Sequence, residues 1–482
     1  MEPSGPFTAK HAERELALLE RPSQRVHWTT PAGEELTLLV PPTVYPPRED
    51  TDLLAAVVHA AGWFDGLRWL EIGSGSGAIS LFAAQQGCHI TACDVNPMAV
   101  VATMANLAEH GCSGLVHEGG PGPHIDGDPA QWGGHLFYDR IVWNLPYLAP
   151  PPEETQHLGP MEEAGLIDTD VVGLYQRFLH ALQRGELLDE QGSAYLVVSS
   201  HRDGLQACER AWGVGLAASV CGTTSFEEGE ELRVIRLWRP FSESSNTAVD
   251  EVDSTNSALL NDTSGVGTTL RAVRQLNGRG RRGRVWDNTS EALLASWVVH
   301  AGLGHLHHTL DQVRVGGALT RLFRALTTKP SDVCLKWPND IFVRNNDDGR
   351  WRKIAGVLFE AQTRGEQTRV VLGIGINTTF TDLQDYASLD QIGVASTAEE
   401  LHVMVHAMVA SLYEFRVDSS EELQEEFAGL LSLVHDGVVK LGPLFYRGKE
   451  VICNGLHPSG ELVLNDGHII GDDPDQLEWS NI

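Results

Sequence analysis

Residues 68–94 read RWLEIGSGSGAISLFAAQQGCHITACD. An apolar run stops at a glycine-rich turn, a helical stretch follows, and a second apolar run ends on an acid. A strand–helix–strand crossover sets its two strands parallel, and parallel strands need cover on both faces. The same rhythm continues in PMAVVATMANLAEH, YDRIVWN and SAYLVVSS. A mainly parallel, doubly covered α/β sheet is therefore expected up to about residue 240.

One sheet of this kind does not use up 482 residues, so two or three domains are expected. The stretch PFSESSNTAVD is polar and without apolar period, and residues 241–250 are read as a linker. An α+β region over 251–435 follows. Short strands with HPSG and NDG turns complete the chain over 436–482.

No run of about 18 apolar residues is present, so no membrane partner is expected. The opening MEPSGPFTAKHAERELALLE lacks a basic flank followed by an apolar stretch, so it does not read as a secretory signal. Seven scattered cysteines without a C-x-x-C pair point to a reducing, cytoplasmic setting, not to disulfides or structural zinc. His305, His307 and His308 lack further ligands at metal spacing and read as a polar loop, so no metal site is assigned.

The net charge is −30. Residues 1–240 hold 14 basic and 32 acidic residues, leaving −18, and the remainder carries −12. Neither part can neutralise a run of phosphates, so nucleic acid is not an expected partner. The stretch GRGRRGRVW, residues 278–286, is a local exception with four arginines, and it points to a small anionic ligand.

In the first half, Glu71, Gly73, Gly75 and Gly77 lie on a strand-to-helix turn where backbone N–H groups can meet a ligand. Asp94 ends the next strand, placed to accept ribose hydroxyls. The G-x-G-x-G spacing is not that of a dinucleotide site. Val142-Trp-Asn144-Leu-Pro-Tyr147 ends a later strand. The Asn144 oxygen and the following carbonyl can accept two N–H bonds of a planar nitrogen, with Tyr147 stacked on its plane. Such a corner aims a nitrogen lone pair at an electrophilic methyl.

Together, LEIGSGSG, ACDVNP and IVWNLPY resemble the class I methyltransferases that modify amide or amino nitrogens. VYPPREDTDLL, which contains Thr51, resembles the entry segment of the HemK-type glutamine methyltransferases. The resemblance covers about residues 36–238. It implies a Rossmann-like sheet, S-adenosyl-L-methionine as cofactor and a protein methyl acceptor. The family's N-P-P-Y has Leu145 at its first proline here, which puts the methyl acceptor in doubt.

The second half carries four motifs in order. They are Glu251-Val-Asp-Ser254-Thr255-Asn256, then Gln275 with the arginine run, then Lys336-Trp-Pro-Asn339-Asp340 with Arg352-Lys353-Ile-Ala-Gly356-Val-Leu-Phe-Glu360, and last Val371-Leu-Gly373-Ile-Gly375-Ile-Asn377. This series resembles the α+β catalytic domain of biotin–protein ligases over residues 248–482, with GLHPSGELVLNDG similar to that family's SH3-like C-terminal module.

The resemblance implies biotin, ATP and Mg²⁺ as ligands and a carboxylase's biotin-acceptor domain as partner. Such enzymes join a carboxylate to AMP and pass the acyl group to a lysine, so positive charge must face the place where negative charge builds. Lys336 and Arg281 are the expected catalytic residues. Arg279, Arg282 and Arg284 can fork onto phosphate oxygens, and Gly278 and Gly280 let the loop close. Ser254, Thr255 and Gln275 would meet biotin's ureido ring, Asn256 belongs to the expected cofactor-binding set beside them, and Asn339 and Asp340 would meet the nucleotide or its Mg²⁺. Trp286 and Trp337 would wall the site. Lys353, Gly356, Gly373, Gly375 and Asn377 complete the expected set. The family's Ser-Pro-x-Gly-like turn after Trp286 is replaced by DNTSEALLAS, and Glu291 puts an acid near the expected adenylate. A bifunctional ligase–methyltransferase is the first expectation. A ligase with a non-catalytic docking module, or a biotin sensor without turnover, stays open.

Overall fold

A computed structural model describes residues 22–62, 65–121, 132–133, 137–146, 168, 172–200, 204–226, 229–280, 286, 291–304, 309–345, 348–379, 386–415, 420–471 and 477–482. It divides into two compact units, Met1–Arg239 and Pro240–Ile482.

The first unit opens with a hairpin, β1 (Gln24–Thr29) and β2 (Glu35–Val40), and helix α1 (Glu49–Ala60). There follow β3 (Arg68–Ile72), α2 (Ala78–Gln85), β4 (His89–Asp94), α3 (Pro97–Glu109), β5 (Gly114–Glu118) and β6 (Tyr138–Asn144). Helix α4 (Leu174–Gln183), β7 (Leu188–Ser199), α5 (Ala207–Gly213), β8 (Ala217–Ser225) and β9 (Glu231–Trp238) complete it. The sheet runs β5-β4-β3-β6-β7-β9-β8. Its first five strands are parallel, as expected for apolar runs buried on both faces. Strand β9 pairs antiparallel with β7 and with β8, because β8 and β9 are joined by a short turn without a crossover helix.

Local chemistry sets the helix starts. Asn96 caps α3 by accepting from Met98 N at 2.9 Å, and Pro97 occupies the first helical position. From inside α3, Asn106 donates to the carbonyls of Ser76 (2.8 Å) and Leu39 (3.0 Å). It thereby pins the glycine turn and the hairpin to the sheet.

The second unit has a seven-stranded sheet in the order β10-β11-β12-β16-β15-β14-β13. Its elements are β10 (Asn246–Val252), α6 (Thr255–Leu260), β11 (Thr269–Gln275), β12 (Ala292–Leu303), α7 (Thr309–Leu326), β13 (Val333–Lys336), β14 (Asp340–Arg344), β15 (Trp351–Arg364) and β16 (Gln367–Asn377). Helices α8 (Ala398–Tyr413) and α9 (Ser420–Lys440) follow. Only β10 and β11 are parallel to each other. Two small three-stranded sheets end the chain: β17 (Leu444–Tyr446), β18 (Lys449–Val451) and β22 (Leu477–Trp479), and β19 (Cys453–Leu456), β20 (Leu462–Leu464) and β21 (Ile469–Ile470). Val313 of α7 and Val434 of α9 bury against Leu462 and Leu464, so these short strands share a core with the helices. The Trp337 indole N–H donates to the Gly460 carbonyl at 2.8 Å.

Two boundaries differ from the expectation. Strand β10 begins at Asn246, inside the segment read as linker. It is a mostly exposed edge strand, so its polar side chains hid the strand pattern. Helix α9 runs through residue 435 to Lys440, and apolar burial on either side of that position, Val434 in one cluster and Leu441 in another, holds the chain there.

Candidate functional site

Two cavities gather most of the described expected residues, one in each unit. In the first, strand succession reverses between β3 and β6: the chain steps from β3 out to β4 and β5, and later from β6 to β7. In open α/β sheets the crevice at such a switch, beyond the strands' carboxyl ends, is where ligands bind. Ile72 lies directly across from Trp143, so the glycine turn after β3 and the Asn144 corner after β6 share that crevice. A cavity of about 470 Å³ opens there, lined by Glu71, Gly73, Gly75, Asp94, Thr51 and Asn144 among others.

Gly73, Gly75 and Gly77 all have positive φ, and a Cβ on Gly77 would come within 2.8 Å of the Thr103 methyl. The turn therefore needs glycine for conformation and, at Gly77, for space. Asp94 accepts from Gly75 N (2.9 Å) and Asn96 N (2.8 Å), which braces the turn, and burial raises its pKa. Glu71 faces α2: it accepts from Ser80 N at 2.8 Å and from the Ser80 hydroxyl. Burial pushes its carboxyl up to about 8, with Asp94 adding and the Ser80 bonds opposing. Glu71 thus caps α2 from beneath while lining the cavity.

Asn144 Nδ2 donates to Asp50 Oδ2 at 2.9 Å. Asn144 Oδ1 is buried and has no partner among the described residues. Asp50 Oδ1 accepts from Thr51 N at 2.7 Å, so this carboxylate is itself held by the first turn of α1. A buried acceptor with no donor is costly unless a ligand supplies one. Asp50 and Asn96 had no assigned role in the sequence. The buried carboxylate in the first turn of α1 was the available signal, but it reads equally as a helix-dipole partner. Leu145 is buried at 2% exposure, so the departure from proline is absorbed by packing. Tyr147 lies outside the described residues.

The second cavity, about 310 Å³, lies on one face of the antiparallel sheet. Side chains alternate along a strand, so Gly356, Leu358 and Glu360 of β15 and Gly373 and Gly375 of β16 share that face. Gly356 pairs with Gly375, and Leu358 with Gly373, so three of these four floor positions carry no side chain. The space is used: a Cβ on Gly375 would lie 2.5 Å from the Trp286 ring, and one on Gly373 would strike the Asn256 amide. Trp286 N donates to the Gly278 carbonyl at 2.9 Å, folding the indole over the floor.

Polar groups ring the cavity. Ser254 caps α6, so Thr255 and Asn256 enter from that helix's first turn. Thr255 N donates to Gln275 Oε1 at 2.8 Å, and its hydroxyl lies 3.1 Å from the same oxygen. The Ser296 hydroxyl lies 2.7 Å from Thr255 Oγ1 and 2.5 Å from Asn256 Oδ1. Asn256 Nδ2 donates to Glu360 Oε2 at 2.8 Å. Opposite, Lys336 Nζ lies 5.2 Å from the centre of the Phe342 ring. Lys353 Nζ is 2.7 Å from Asp340 Oδ1 and 5.3 Å from the Trp286 ring centre. Arg279 and Gly280 also line the cavity.

Some expected residues act indirectly. Asn339 lines the cavity, but its amide donates to the Val357 carbonyl at 2.7 Å. Asn377 is not a lining residue: its amide donates to the Ala387 carbonyl at 3.0 Å, next to Tyr386, which is. Gly278 likewise serves the fold of Trp286. Trp337 lines the cavity while its N–H is spent on Gly460. Arg281, Arg282, Arg284, His305, His307 and His308 lie outside the described residues. Glu360 and Ser296 carried no assigned role; for Glu360 the i, i+4 spacing from Gly356 on one strand face was the readable signal.

The parallel sheet carries a crevice at its switch point, and the antiparallel sheet carries a polar, cationic cavity. Residues 248–377 match the sequence model of the Biotin/lipoate A/B protein ligase family. The biotin–[acetyl-CoA-carboxylase] ligase of Mycobacterium tuberculosis is 32% identical over 161 residues, 31% of this chain and 56% of that protein. The chain thus spans about half of that ligase, and 33% of Arabidopsis thaliana biotin–protein ligase 2. Mouse methyltransferase HEMK2 is 32% identical over 165 residues, 32% of this chain and 71% of that protein. The solved Aquifex aeolicus biotin protein ligase with biotin and ATP aligns at 23% identity and a TM-score of 0.36, covering 49% of this chain and 99% of the other. The chain belongs to the HEMK2 methyltransferase family through its first part, and it carries a biotin/lipoate A/B protein ligase domain in its second.

Proposed function

We propose that the second unit is an ATP-dependent biotin–protein ligase. Biotin's carboxylate attacks the α-phosphorus of ATP, giving biotinyl-AMP and releasing pyrophosphate. An acceptor lysine amine then attacks the acyl carbon, gives up a proton and releases AMP. The observation that carries this reading is the polar relay of Gln275, Thr255, Ser296, Asn256 and Glu360 beside Lys336 and Lys353, over a floor cleared by glycines. A relay of neutral donors and acceptors suits a ureido ring, and the lysines offset two anionic reactants. Asp340 is paired with Lys353, so this cavity offers Mg²⁺ few carboxylates of its own, and the ion would arrive on the ATP phosphates. The small C-terminal sheets are read as an SH3-like module. The acceptor would be the biotin-carrying domain of a carboxylase. Incubation with biotin, ATP and such a domain should label the acceptor on lysine. Adenylate formed without labelled acceptor would instead favour a sensor.

We propose further that the first unit is an N-methyltransferase acting on a protein amide or amine. Bound S-adenosyl-L-methionine would supply the electrophilic methyl group. Gly73, Gly75 and Gly77 shape the turn on which it would rest, braced by Asp94. Asn144 Oδ1, buried and without a donor among the described residues, is the acceptor for the nucleophile's N–H. Calorimetric titration with S-adenosyl-L-methionine tests this, and absence of binding would leave a docking module in its place.

A further inference from the structure

Glu360 is out of place on charge alone. A site built to bring a carboxylate and a phosphate together gains nothing from a third anion facing the same cavity. Yet Glu360 lines it, and its two oxygens are committed in different directions. Oε2 accepts from Asn256 Nδ2 at 2.8 Å, and Oε1 lies 3.9 Å from Arg279 Nη1. Asn256 is buried at 5% exposure, so the direction of its amide matters.

We infer that Glu360 is a positioning residue that sets the hydrogen-bond direction of the biotin-recognising relay and ties it to the first arginine of the glycine–arginine stretch. The inference rests on the ligase reading. A carboxylate can only accept, so it forces Asn256 to turn its NH₂ toward β15 and its oxygen toward Ser296. Ser296 has one hydroxyl hydrogen and two acceptors in reach, Asn256 Oδ1 at 2.5 Å and Thr255 Oγ1 at 2.7 Å. With the Asn256 oxygen held in place, Ser296 donates to it. The Thr255 hydroxyl spends its own hydrogen on Gln275 Oε1, which also accepts from Thr255 N. One charged acceptor thereby orders two neutral side chains, Asn256 and Ser296, which on their own could take either direction. The Oε1 side holds the Arg279 guanidinium at the mouth of the same subsite. The arrangement is specific for a neutral ligand bearing both N–H and C=O groups.

The test compares Glu360→Ala and Glu360→Gln with the wild-type full chain, by calorimetric titration with biotin alone and by steady-state adenylation. The alanine variant should weaken biotin binding by about tenfold or more, the usual scale for losing a charged hydrogen bond. Its KM for ATP should stay within about twofold of wild type, since the Arg279 contact is long, at 3.9 Å, and the guanidinium half-exposed. Glutamine keeps one acceptor for Asn256 but not the charge, so it should recover part of the affinity and remain about threefold weak. Biotin affinity unchanged in both variants would overturn the inference. So would a joint fall of biotin affinity, ATP affinity and melting temperature that glutamine does not relieve, which is the signature of a packing role. Should the alanine variant fail to fold, the glutamine variant decides: wild-type biotin affinity in it overturns the inference. A wild-type chain that binds no biotin would overturn the ligase reading itself.

Discussion

The Asn144 amide can present either its oxygen or its nitrogen to the crevice at the switch point, and Asp50 decides which. The carboxylate takes the NH₂, leaving the buried oxygen without a donor among the described residues. Asp50→Ala should cut methyl transfer about tenfold or more, on the scale of one charged hydrogen bond, while S-adenosyl-L-methionine affinity changes little. Single-turnover rates at saturating cofactor measure this, and an unchanged rate would remove Asp50 from the proposed mechanism. Glu71 makes a pH prediction. Its folded carboxyl holds a proton up to about 8, whereas the unfolded one releases it near the ordinary value of 4.5. Between those values the folded state binds this extra proton, so the Glu71 contribution to stability is complete below about 4.5 and declines as pH rises toward 8. Urea midpoints of the full chain should follow that slope, and Glu71→Gln should flatten it. In the second unit, Lys336→Ala should lower biotinyl-AMP formation by about a hundredfold or more, the usual cost of removing a charge aimed at the transition state. Pyrophosphate release measures it.

Two elements carry testable packing. Strand β16 offers Gly375 as the seat of the Trp286 indole, so Gly375→Val should displace the ring. The overpacking should cost about 1–3 kcal/mol and raise the biotin KM, and both effects should shrink in a Trp286→Ala background. Helix α8 carries His402 and His406 one turn apart. His402 stacks on Trp297, and His406 Nδ1 accepts from the Trp297 N–H at 2.9 Å. Burial pushes His402 down to about 3, with His406 and Arg271 adding, and burial pushes His406 down to about 4. Both rings are neutral when folded, whereas unfolded histidine charges near 6.5. Their contribution is complete above about 6.5 and is lost as pH falls through the folded values. His402→Phe should weaken that acid sensitivity, read as the change in melting temperature between pH 6.5 and 4. At this scale the sequence was readable where burial matched period. The parallel strands and the Gly373–Gly375 motif of β16 were visible, because a continuous apolar run reports burial on both faces and glycine reports close approach to one. Strand β10 was not, because an exposed edge strand carries no apolar alternation.

The whole molecule is two units with separate cores and separate cavities. If each unit works with its own side chains alone, Lys336→Ala should leave S-adenosyl-L-methionine binding unchanged, and Asn144→Ala should leave biotinylation unchanged. Loss of both activities from one substitution would show that the sites are coupled. Titration of both ligands on each variant checks this.

Much of the architecture is written locally in the chain. Strand period, glycines at turns needing positive φ, the Asn96–Pro97 helix start and the ordered motifs each depend on residues a few positions apart. They place the cofactor turn after β3, the Asn144 corner after β6 and the polar residues at the start of α6. Only the tertiary structure decided which side chains these residues answer to. Asp50 reaches Asn144 across 94 positions, and Glu360 reaches Asn256 across 104. A carboxylate in a sequence has no direction. It acquires one when the sheet brings an amide within hydrogen-bond reach, and the choice between donor and acceptor that the ligand meets is made there.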